Sequence, residues 1–581
     1  MTNSAVSRVL SLVGDLLELK GGEDAAKAMT YRRAARSIET SREEMSDLHR
    51  QGRLQELAGV GEALAKKIAE LVETGRLAYF ERLSAEVPSS VLDLLRVPGI
   101  GPKTAGRLWR ELGVTNVDQL EEAVRSGAVR RLSGFGQRKE ETILAGTAAF
   151  RRTAGQVPLG LARPVGEALA QAVAALPEVV RAAVAGSVRR WRDTVRNVNL
   201  VVAASDPEAA ARGFAGLPEV REVTGRESDR LTAVLHYGLT VDARFVPPDR
   251  FWTALNWFTG PPDHNARLQE RARARGLATD GHGLLGAEGK PLPARSEEDV
   301  YGALGLDFIP PELREGPGEM GALPRLVEPA DIRGDLHVHS DWSDGQDSLP
   351  ELAIAAGALG YEYLAVSDHT QFLAMARGLD EKRLLAQREA IDALNASGEA
   401  SREAAGEGAG EGGCRLLAGV EVDVLAGGEL DLPDAALAEL DIVTASIHSG
   451  LRRPAEETTR RLVAAAENPH VDVIGHPSGR LIGRREPSDL DLDALLAAAA
   501  QHRTILEINA SPDRLDLCDT DARRAKEAGC LLAISTDAHT VRALGDMTYG
   551  VATARRAWLG PDDVANTRPL AELRKLLGKR R

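Results

Sequence analysis

The chain has 581 residues with a formal net charge of -14, and 43% of its residues are hydrophobic. This length predicts three or four domains with separate cores. Its three cysteines, Cys414, Cys518 and Cys530, lack CxxC or zinc-finger spacing, which argues against a disulfide framework and for a reducing compartment. With no signal-like N-terminus and no apolar stretch long enough for a bilayer, the sequence predicts a soluble cytoplasmic protein.

The negative charge is unevenly distributed along the chain. Residues 1–330 contain 44 Lys and Arg against 44 Asp and Glu, whereas residues 331–581 contain 28 against 42. Because the N-terminal part is neutral, the total charge does not exclude nucleic-acid binding, which would depend on local basic clusters.

Residues 1 to about 150 have apolar positions at helical spacing, interrupted by three Gly-apolar-Gly turns. A helix carrying Lys or Arg follows each turn, and the paired glycines are Gly59 and Gly61, Gly99 and Gly101, and Gly134 and Gly136. Two glycines let a phosphate approach the backbone, and the helix start offers free N–H groups. Helix ends without a ligand are the alternative interpretation. The three copies resemble helix-hairpin-helix motifs, which implies binding to the DNA backbone without sequence readout.

Lys67 follows the first of these turns. The segment resembles the N-terminal domain of X-family DNA polymerases, in which a lysine at this place can form a Schiff base with an abasic sugar. Tyr31–Ala35 is similar to the N-terminal helix of the same family. The resemblance implies lyase activity, and an ordinary solvated lysine is the alternative.

A strand-turn motif follows in the next part of the chain. Gly186, Ser187 and Arg190 come after one β-like run and before another, and they would present N–H groups, a hydroxyl and a guanidinium to a triphosphate. The region resembles the palm of X-family polymerases, which implies nucleotide binding here. By the same resemblance, a nucleotide-binding turn at the start of the thumb contains Phe258, Gly260 and Asn265.

The catalytic positions of this palm depart from the family pattern. The family has Asp-x-Asp and a third carboxylate holding two divalent ions; here Asp242 matches the third, but Asn197 and Asn199 replace the first two. An amide is neutral, so two negative charges are missing beside the cations. We expect polymerisation to be weak or lost. The competing hypothesis is that Asp242 and the amide oxygens retain Mg²⁺ or Mn²⁺ and keep a polymerase active.

The C-terminal part alternates seven apolar strand-like runs with helical segments. This pattern predicts a parallel barrel of βα units with its active site at the carboxyl ends of the strands. Six histidines and three carboxylates lie at or near those ends: His337, His339, Asp344, His369, Glu421, His448, His476, Asp537 and His539. Imidazole and carboxylate together are ligands of zinc, manganese and iron, so the sequence predicts a metal-dependent hydrolase.

The order of these ligands resembles the polymerase and histidinol phosphatase (PHP) domain. The resemblance implies up to three ions, Mn²⁺ or Zn²⁺, held in three groups: His337, His339, Glu421 and Asp537; Glu421, His448 and His476; and Asp344, His369 and His539.

The sequence thus predicts a multidomain protein with α+β and α/β parts. The predicted divisions are a helical N-terminal domain with a helix-hairpin-helix motif (1–85), a fingers-like domain with two more (86–158), a nucleotidyltransferase palm (159–250), a thumb (251–315), a linker (316–331) and a distorted (β/α)7 PHP barrel (332–581). A low-complexity passage at residues 396–413 predicts a surface insertion.

Nearly the whole chain resembles bacterial X-family DNA polymerases that carry a C-terminal PHP domain. The resemblance implies a monomeric DNA-repair protein acting as a metal-dependent 3′-5′ exonuclease or phosphoesterase. Its expected partners are gapped or 3′-recessed DNA and deoxynucleotide triphosphates, with no membrane. An active Mn²⁺-dependent gap-filling polymerase with nuclease editing and a small-molecule phosphomonoesterase are the alternatives.

Overall fold

The computed structural model describes every residue except 1–2, 40, 42, 154, 237, 282, 287–289, 291, 317, 398–412 and 578–581. Most of the predicted low-complexity insertion therefore lies outside the described residues. Two compact units are present: unit 1 is Met1–Met320 with Gly483–Arg485, and unit 2 is Gly321–Ile482 with Glu486–Arg581. The six finer domain boundaries stay predictions. Among the described residues, no helix has the length and hydrophobicity needed to cross a membrane.

Unit 1 begins with helices. They are α1 (Asn3–Lys20), α2 (Gly22–Glu39), α3 (Met45–Arg50), α4 (Glu62–Thr74), α5 (Ala78–Glu86), α6 (Ser89–Leu94), α7 (Pro102–Leu112), α8 (Val117–Arg125) and α9 (Gln137–Thr153). Helical spacing explains their packing, because Leu64, Ile68 and Leu71 of α4 lie on one side and are buried. All nine helices contribute to one apolar core.

The rest of unit 1 is built on a five-stranded sheet. Its strands are β2 (Val179–Ala185), β4 (Val198–Ala204), β5 (Val220–Arg226), β6 (Arg230–Leu235) and β7 (Thr240–Val246), in the order β2-β4-β7-β6-β5. Two small sheets pair β1 (Val157–Pro158) with β3 (Thr194–Val195) and β8 (Ala278–Asp280) with β9 (Gly283–Leu285). The helices are α10 (Leu159–Ala174), α11 (Gly186–Arg189), α12 (Pro207–Ala215), α13 (Phe251–Thr259), α14 (Pro262–Ala274) and α15 (Glu297–Ala303).

Unit 2 contains seven parallel strands paired in sequence order. They are β10 (Gly334–Val338), β11 (Tyr363–Val366), β12 (Arg415–Asp423), β13 (Ile442–Ser446), β14 (Val473–Ile474), β15 (Ile505–Asn509) and β16 (Leu532–Ser535). A parallel bridge between Val338 and Ala538 nearly closes the sheet into a barrel. The predicted (β/α)7 barrel is therefore confirmed, and every strand overlaps a run predicted from the sequence.

Among the residues of unit 2 that the structure describes, eight helices accompany these strands. They are α16 (Leu349–Ala358), α17 (Glu381–Ser397), α18 (Asp434–Leu437), α19 (Ala455–Glu467), α20 (Leu492–His502), α21 (Asp519–Glu527), α22 (Met547–Arg556) and α23 (Leu570–Leu577). The strands are almost wholly buried, because helices cover a parallel sheet. Apolar runs therefore form the strands, and the polar residues that interrupt them lie at the strand ends.

Candidate metal centre

Glu421, near the end of β12, is the focus of the candidate metal centre. Its side chain is fully buried. Five imidazole nitrogens surround its two oxygens: His369 Nδ1 (2.8 Å), His476 Nε2 (2.9 Å), His448 Nε2 (3.3 Å), His337 Nε2 (3.5 Å) and His339 Nε2 (3.7 Å). The order of the strands brings these residues together, since they come from five different strands or the loops that follow them.

The remaining three predicted ligands lie beside this group. Asp537 Oδ1 is 3.1 Å from His339 Nε2, and Asp344 Oδ1 is 3.4 Å from His539 Nε2 and 3.7 Å from His369 Nε2. Thus all nine residues predicted from the sequence form one cluster, to which six of the seven strands or their loops contribute.

Three subsets have donor atoms close enough to share an ion. They are His339, Asp344, His369 and His539; His337, His339 and Asp537; and His369, Glu421 and His448. These subsets overlap the three predicted groups but differ from them. His339 and His369 each belong to two subsets, Glu421 belongs to one instead of two, and His476, whose Nε2 lies 2.9 Å from Glu421 Oε1, belongs to none. Which residues share an ion stays a prediction.

The buried polar atoms of the cluster fit a cation. Although imidazole nitrogens lie nearby, neither oxygen of Glu421 accepts a hydrogen bond of suitable geometry, and His337 Nε2 and His369 Nδ1 have no hydrogen-bond partner. Unpaired buried polar atoms are unfavourable unless a ligand satisfies them. Imidazole and carboxylate without thiolate is a donor set suited to Mn²⁺ or Zn²⁺.

The electrostatics of the cluster keep its carboxylates ionised. Burial alone would raise the pKa of Glu421, but the imidazoles of His448, His337 and His369 hold that pKa well below its usual range. Burial and the neighbouring imidazoles of His539 and His369 lower the pKa of His339 to about 3. Against the opposing effect of burial, the neighbouring carboxylates raise the pKa of His448 to about 10 and that of His539 to about 9, so these imidazoles would release a proton when they bind a metal as neutral ligands.

Two carboxylates that the sequence analysis missed orient ligand histidines. Glu507 Oε1 lies 2.7 Å from His337 Nδ1, and its Oε2 accepts a hydrogen bond from the backbone N–H of His476 (2.6 Å). Asp423 Oδ1 lies 3.1 Å from His448 Nδ1. Such partners fix the ring so that its other nitrogen faces the metal. Two features of the sequence could have identified these carboxylates. Glu507 is a charged residue inside the buried strand β15, and Asp423 follows Glu421 by two residues and so lies on the same side of β12.

A third buried carboxylate, Asp368, holds the loop that carries Asp344. It accepts hydrogen bonds from the backbone N–H of Ser340 (2.9 Å), the hydroxyl of Ser343 and the side-chain amide of Gln387 (2.5 Å). The loop is therefore ordered by the residue that precedes His369.

In unit 1, the palm sheet gathers Asp242, Asn197 and Asn199 as predicted, but the carboxylate is already paired. Asp242 Oδ1 accepts from Thr232 Oγ1 (2.6 Å) and from Arg230 Nη2 (2.7 Å) and Nε (2.9 Å), while Oδ2 accepts from the side-chain amide of Asn197. Asn199 donates in turn to Asn197 Oδ1 (3.4 Å). A guanidinium thus compensates the one remaining carboxylate, so the donor set does not fit a pair of divalent ions.

The three glycine turns of unit 1 share one geometry. The first glycine of each has a positive φ (81° at Gly59, 90° at Gly99 and 80° at Gly134), and the apolar residue after it is buried. Where a Cβ would project from Gly61, Gly101, Gly134 and Gly136, no atom lies within 4 Å. Each second glycine leads directly into a helix, whose first N–H groups have no partner within the helix, so such groups lie beside open space at these turns. The helix α7 begins with Pro102, which has no N–H, and offers one such group fewer.

Models of four protein domains match successive parts of this chain. They are a helix-hairpin-helix domain (1–77), a SAM-like helix-hairpin-helix tandem (91–147), a DNA polymerase beta thumb (254–315) and a PHP domain (335–511). A Bacillus subtilis protein named DNA polymerase/3′-5′ exonuclease PolX is 36% identical over 99% of both chains. This chain belongs to the PolX family.

Shorter relatives match a part of this PolX-family chain. A probable phosphatase from Thermoanaerobacter sp. (strain X514) is 33% identical over 27% of this chain and 65% of its own length. A probable phosphatase from Edwardsiella ictaluri is 28% identical over 40% of this chain and 90% of its own length. The predicted family and its helix-hairpin-helix, thumb and PHP parts are thus confirmed.

Arg190, a predicted nucleotide-binding residue of this PolX-family palm, is already paired with other residues of unit 1. Arg190 Nε donates to Glu315 Oε1 (2.8 Å), and its Nη1 donates to Thr259 O (2.6 Å). Ser187 is half-buried at the start of α11. The turn at Gly186 is close to the palm centre, because a Cβ there would lie 2.4 Å from Asn199 Nδ2.

The thumb turn is tied to its own backbone. Asn265 Nδ2 donates to Trp257 O (2.8 Å) and Gly260 O (3.3 Å), and the Phe258 ring lies 4.8 Å from the guanidinium carbon of Arg244. These residues are near one another as predicted, and their nucleotide-binding role stays a prediction.

Lys67, the predicted lyase residue, contacts an aromatic ring. Its Nζ lies 5.1 Å from the centre of the Tyr79 ring and donates to Ala63 O (3.3 Å). Tyr79 stacks on Tyr31, with ring centres 5.9 Å apart. These contacts order the lysine side chain and leave its lyase role a prediction.

Proposed function

We propose that this PolX-family chain is a DNA-repair enzyme that hydrolyses phosphoesters at DNA 3′ ends with its PHP part, and that its polymerase activity is weak or lost. One contrast carries the proposal. In the PHP cluster, eight ligand-type side chains accompany Glu421, whose oxygens accept no hydrogen bond, whereas the catalytic positions of the palm keep a single carboxylate, Asp242, which is paired with Arg230.

The nine cluster residues would hold Mn²⁺ or Zn²⁺, and such ions supply an activated water and neutralise phosphate charge. Glu507 and Asp423 hold His337 and His448 in orientation. Asp344 and His539 are the most accessible members of their group, with side chains 35% and 36% exposed, so substrate phosphate would approach from their side.

The loss of polymerase activity follows from charge. Two of the three carboxylates that the family uses are amides here, and Arg230 contacts the third. A difference of about 1.4 kcal/mol in the activation free energy changes a rate tenfold. At about 4 Å and an effective dielectric of about 20, one ionic contact is worth about 4 kcal/mol, so the loss of two anionic ligands beside the ions would slow polymerisation by well over tenfold.

The helical N-terminal part and the thumb would bind the DNA. Three turns with open glycine backbones and helix N-termini suit phosphates, and the relative from Bacillus subtilis is named both a polymerase and a 3′-5′ exonuclease. Gapped or 3′-recessed duplex DNA is the proposed substrate.

Nuclease and extension assays on the full chain test both halves of the proposal. Wild type with Mn²⁺ should shorten a 3′-labelled oligonucleotide. A chelator or the variant His339→Ala should abolish this shortening, whereas Asp242→Ala should leave it unchanged. On a gapped duplex, extension should be weak in wild type. Robust extension by wild type that is lost in Asp242→Ala would overturn the proposal that polymerase activity is weak or lost.

Restoring the missing charges gives a gain-of-function test of the same explanation. The double variant Asn197→Asp, Asn199→Asp should extend a primer on a gapped duplex at least about tenfold faster than wild type, because each new carboxylate adds an anionic ligand. The control is Asn116→Asp, which makes the same change of amide to carboxylate at the N-cap of α8, outside the palm, and should leave extension unchanged.

A small-molecule phosphomonoesterase is the second candidate, because shorter relatives named probable phosphatase match 27% and 40% of this chain. Hydrolysis of histidinol phosphate that is faster than removal of nucleotides from the oligonucleotide would favour it. The converse result supports action on DNA.

A further inference from the structure

We propose that the loop after β11 forms a nucleobase-binding subsite, in which Phe372 and Met375 contact the base of the nucleotide at the DNA 3′ end. This proposal rests on the proposed function. The loop consists of residues 370–379 and is named the rim loop. It begins directly after His369, one of the candidate metal ligands.

The rim loop exposes apolar side chains that a folded protein ordinarily buries. Phe372 is 47% exposed and Met375 is 98% exposed. Among the described residues, eight large hydrophobic side chains are exposed: Met29, Leu144, Val180, Val223, Leu359, Phe372, Met375 and Leu385. Phe372 is the single aromatic in that set, and it lies three residues from a candidate ligand. Apolar exposure beside a candidate active site indicates a binding surface.

The backbone of the rim loop is firmly held. Thr370 Oγ1 donates to Asp431 Oδ1 (2.8 Å), and the backbone N–H of Phe372 itself donates to Asp431 Oδ2 (3.2 Å). Leu379 N donates to His369 O (2.7 Å), which closes the loop at its base. Phe372 is therefore presented at a defined place, since its own N–H is anchored to a carboxylate.

A second feature brings the two arms of the rim loop close together. A Cβ at Gly378 would lie 1.8 Å from Thr370 O, so only glycine fits at this position. The Arg377 guanidinium donates to Ser343 O and thereby ties the loop to the segment that carries Asp344. Arg377 of the rim loop thus contacts the residue next to Asp344, one of the two most exposed members of the candidate centre.

The position of Phe372 suits the base of a bound nucleotide. Three residues span at most about 11 Å, which limits the distance between the backbones of His369 and Phe372. A phosphate held among the ligands near Asp344 would have its sugar and base within reach of the loop. Aromatic side chains stack on any base, because every base has a π-face, and a methionine thioether adapts to different ring shapes.

This chemistry favours a nucleic acid over a small phosphomonoester. A nonspecific 3′ exonuclease must hold every terminal base, and stacking provides contact without hydrogen-bond readout. The proposed ligand is therefore the 3′-terminal nucleotide of DNA once it is unpaired, as at a frayed end of the gapped or 3′-recessed duplex, because its base is then free to stack.

A fluorescence and kinetic experiment tests the subsite in the full chain. The probe is a single-stranded oligonucleotide with 2-aminopurine at its 3′ end, whose fluorescence falls when the base stacks. The variants are Phe372→Ala, Phe372→Leu and Phe372→Tyr, and the control Leu359→Ala removes an apolar side chain that is 51% exposed at the end of α16.

We expect Phe372→Ala and Phe372→Leu to abolish the quenching seen with wild type under chelating conditions and to raise KM for the oligonucleotide about tenfold with Mn²⁺. The kcat should change much less than KM. Phe372→Tyr, which keeps the ring, and Leu359→Ala should behave as wild type. Manganese content, measured on each variant, reports whether the centre is intact.

Unchanged quenching and KM in Phe372→Ala would overturn the proposal, and so would wild-type behaviour of Phe372→Leu, which would exclude stacking. A change of oligomeric state in Phe372→Ala would show that a second copy covers the loop and would also overturn it. If wild type quenches the probe through Phe372 but releases no nucleotide, the subsite stands and the proposed nuclease function fails.

Discussion

Two carboxylates in this molecule, Glu421 and Asp242, are surrounded by different kinds of side chain. Glu421 lies among five imidazoles with neither oxygen accepting a hydrogen bond of suitable geometry, whereas Asp242 accepts hydrogen bonds from Arg230, Thr232 and Asn197. Glu421 can therefore accept a metal cation, whereas Asp242 is already paired with the Arg230 guanidinium. The difference depends on the neighbouring side chains, since both carboxylates are buried.

The orientation of His337 by Glu507 gives a prediction about metal affinity. Glu507→Gln removes the negative charge 2.7 Å from His337 Nδ1, so the apo protein should bind Mn²⁺ about 10- to 100-fold more weakly. Calorimetric titration of the metal-free protein measures this. Glu467→Gln, an exposed position on α19, is the control, and an unchanged affinity in Glu507→Gln would contradict the positioning role.

At the scale of elements, a buried ion network joins α15 to the palm. Glu297, the first residue of α15, has a side chain 4% exposed; Arg314 Nη1 donates to its Oε1 (2.7 Å) and Arg189 Nη2 to its Oε2 (2.5 Å). Burial alone would raise the pKa of Glu297, but the two guanidinium groups hold the pKa below its usual value.

This lowered pKa predicts a pH dependence of stability. The folded state binds fewer protons at Glu297 than the unfolded state, so the stabilisation is complete above the unfolded pKa of about 4.3 and is lost as pH falls through the lowered folded value. Glu297→Gln should flatten this acid slope and lower the free energy of unfolding at pH 7 by about 3–5 kcal/mol. Urea unfolding at several pH values measures both effects, and the exposed neighbour Glu298→Gln should change neither.

A substitution in the glycine turn before α7 can separate an effect on DNA binding from an effect on helix stability. Gly101 has φ -88° and ψ 171°, which any residue can adopt, and it is the N-cap of α7. Gly101→Asp should therefore keep or slightly raise stability, by a few tenths of a kcal/mol, because aspartate caps helices well. Its charge would repel a phosphate, so DNA affinity at low salt should fall about tenfold.

Fluorescence anisotropy with labelled duplex DNA and thermal unfolding measure the two effects of Gly101→Asp. Asn116→Asp is the matched control, because it adds the same charge at the N-cap of α8 outside a glycine turn. A loss of affinity as large in the control would show that overall charge, and not the turn, is responsible.

For the whole molecule, two compact units with separate cores predict two unfolding transitions. If unit 2 holds the ions, Mn²⁺ at 100 times its Kd should stabilise that transition by about 2.7 kcal/mol and leave the other unchanged. Calorimetric scans with Mn²⁺ and with a chelator measure this. His339→Ala should remove the shift, and a shift of the other transition would place a metal in unit 1.

The architecture was largely predictable from local patterns. Apolar runs such as Ile505–Asn509 became strands, and the ligands follow their carboxyl ends because parallel strands all end on one side of the sheet. The three glycine turns were predictable as well, since each combines a positive φ with the start of a helix. These features depend on residues that are neighbours in the chain.

The chain alone determined which residue types lie at the strand ends and that two palm aspartates are amides. Only the tertiary structure decided that Arg230 pairs with Asp242 and that Glu507, 170 positions away, orients His337. Such contacts join side chains on different strands, and their geometry depends on sheet order and register. No spacing within one segment encodes those quantities, because they arise only when the strands pack together.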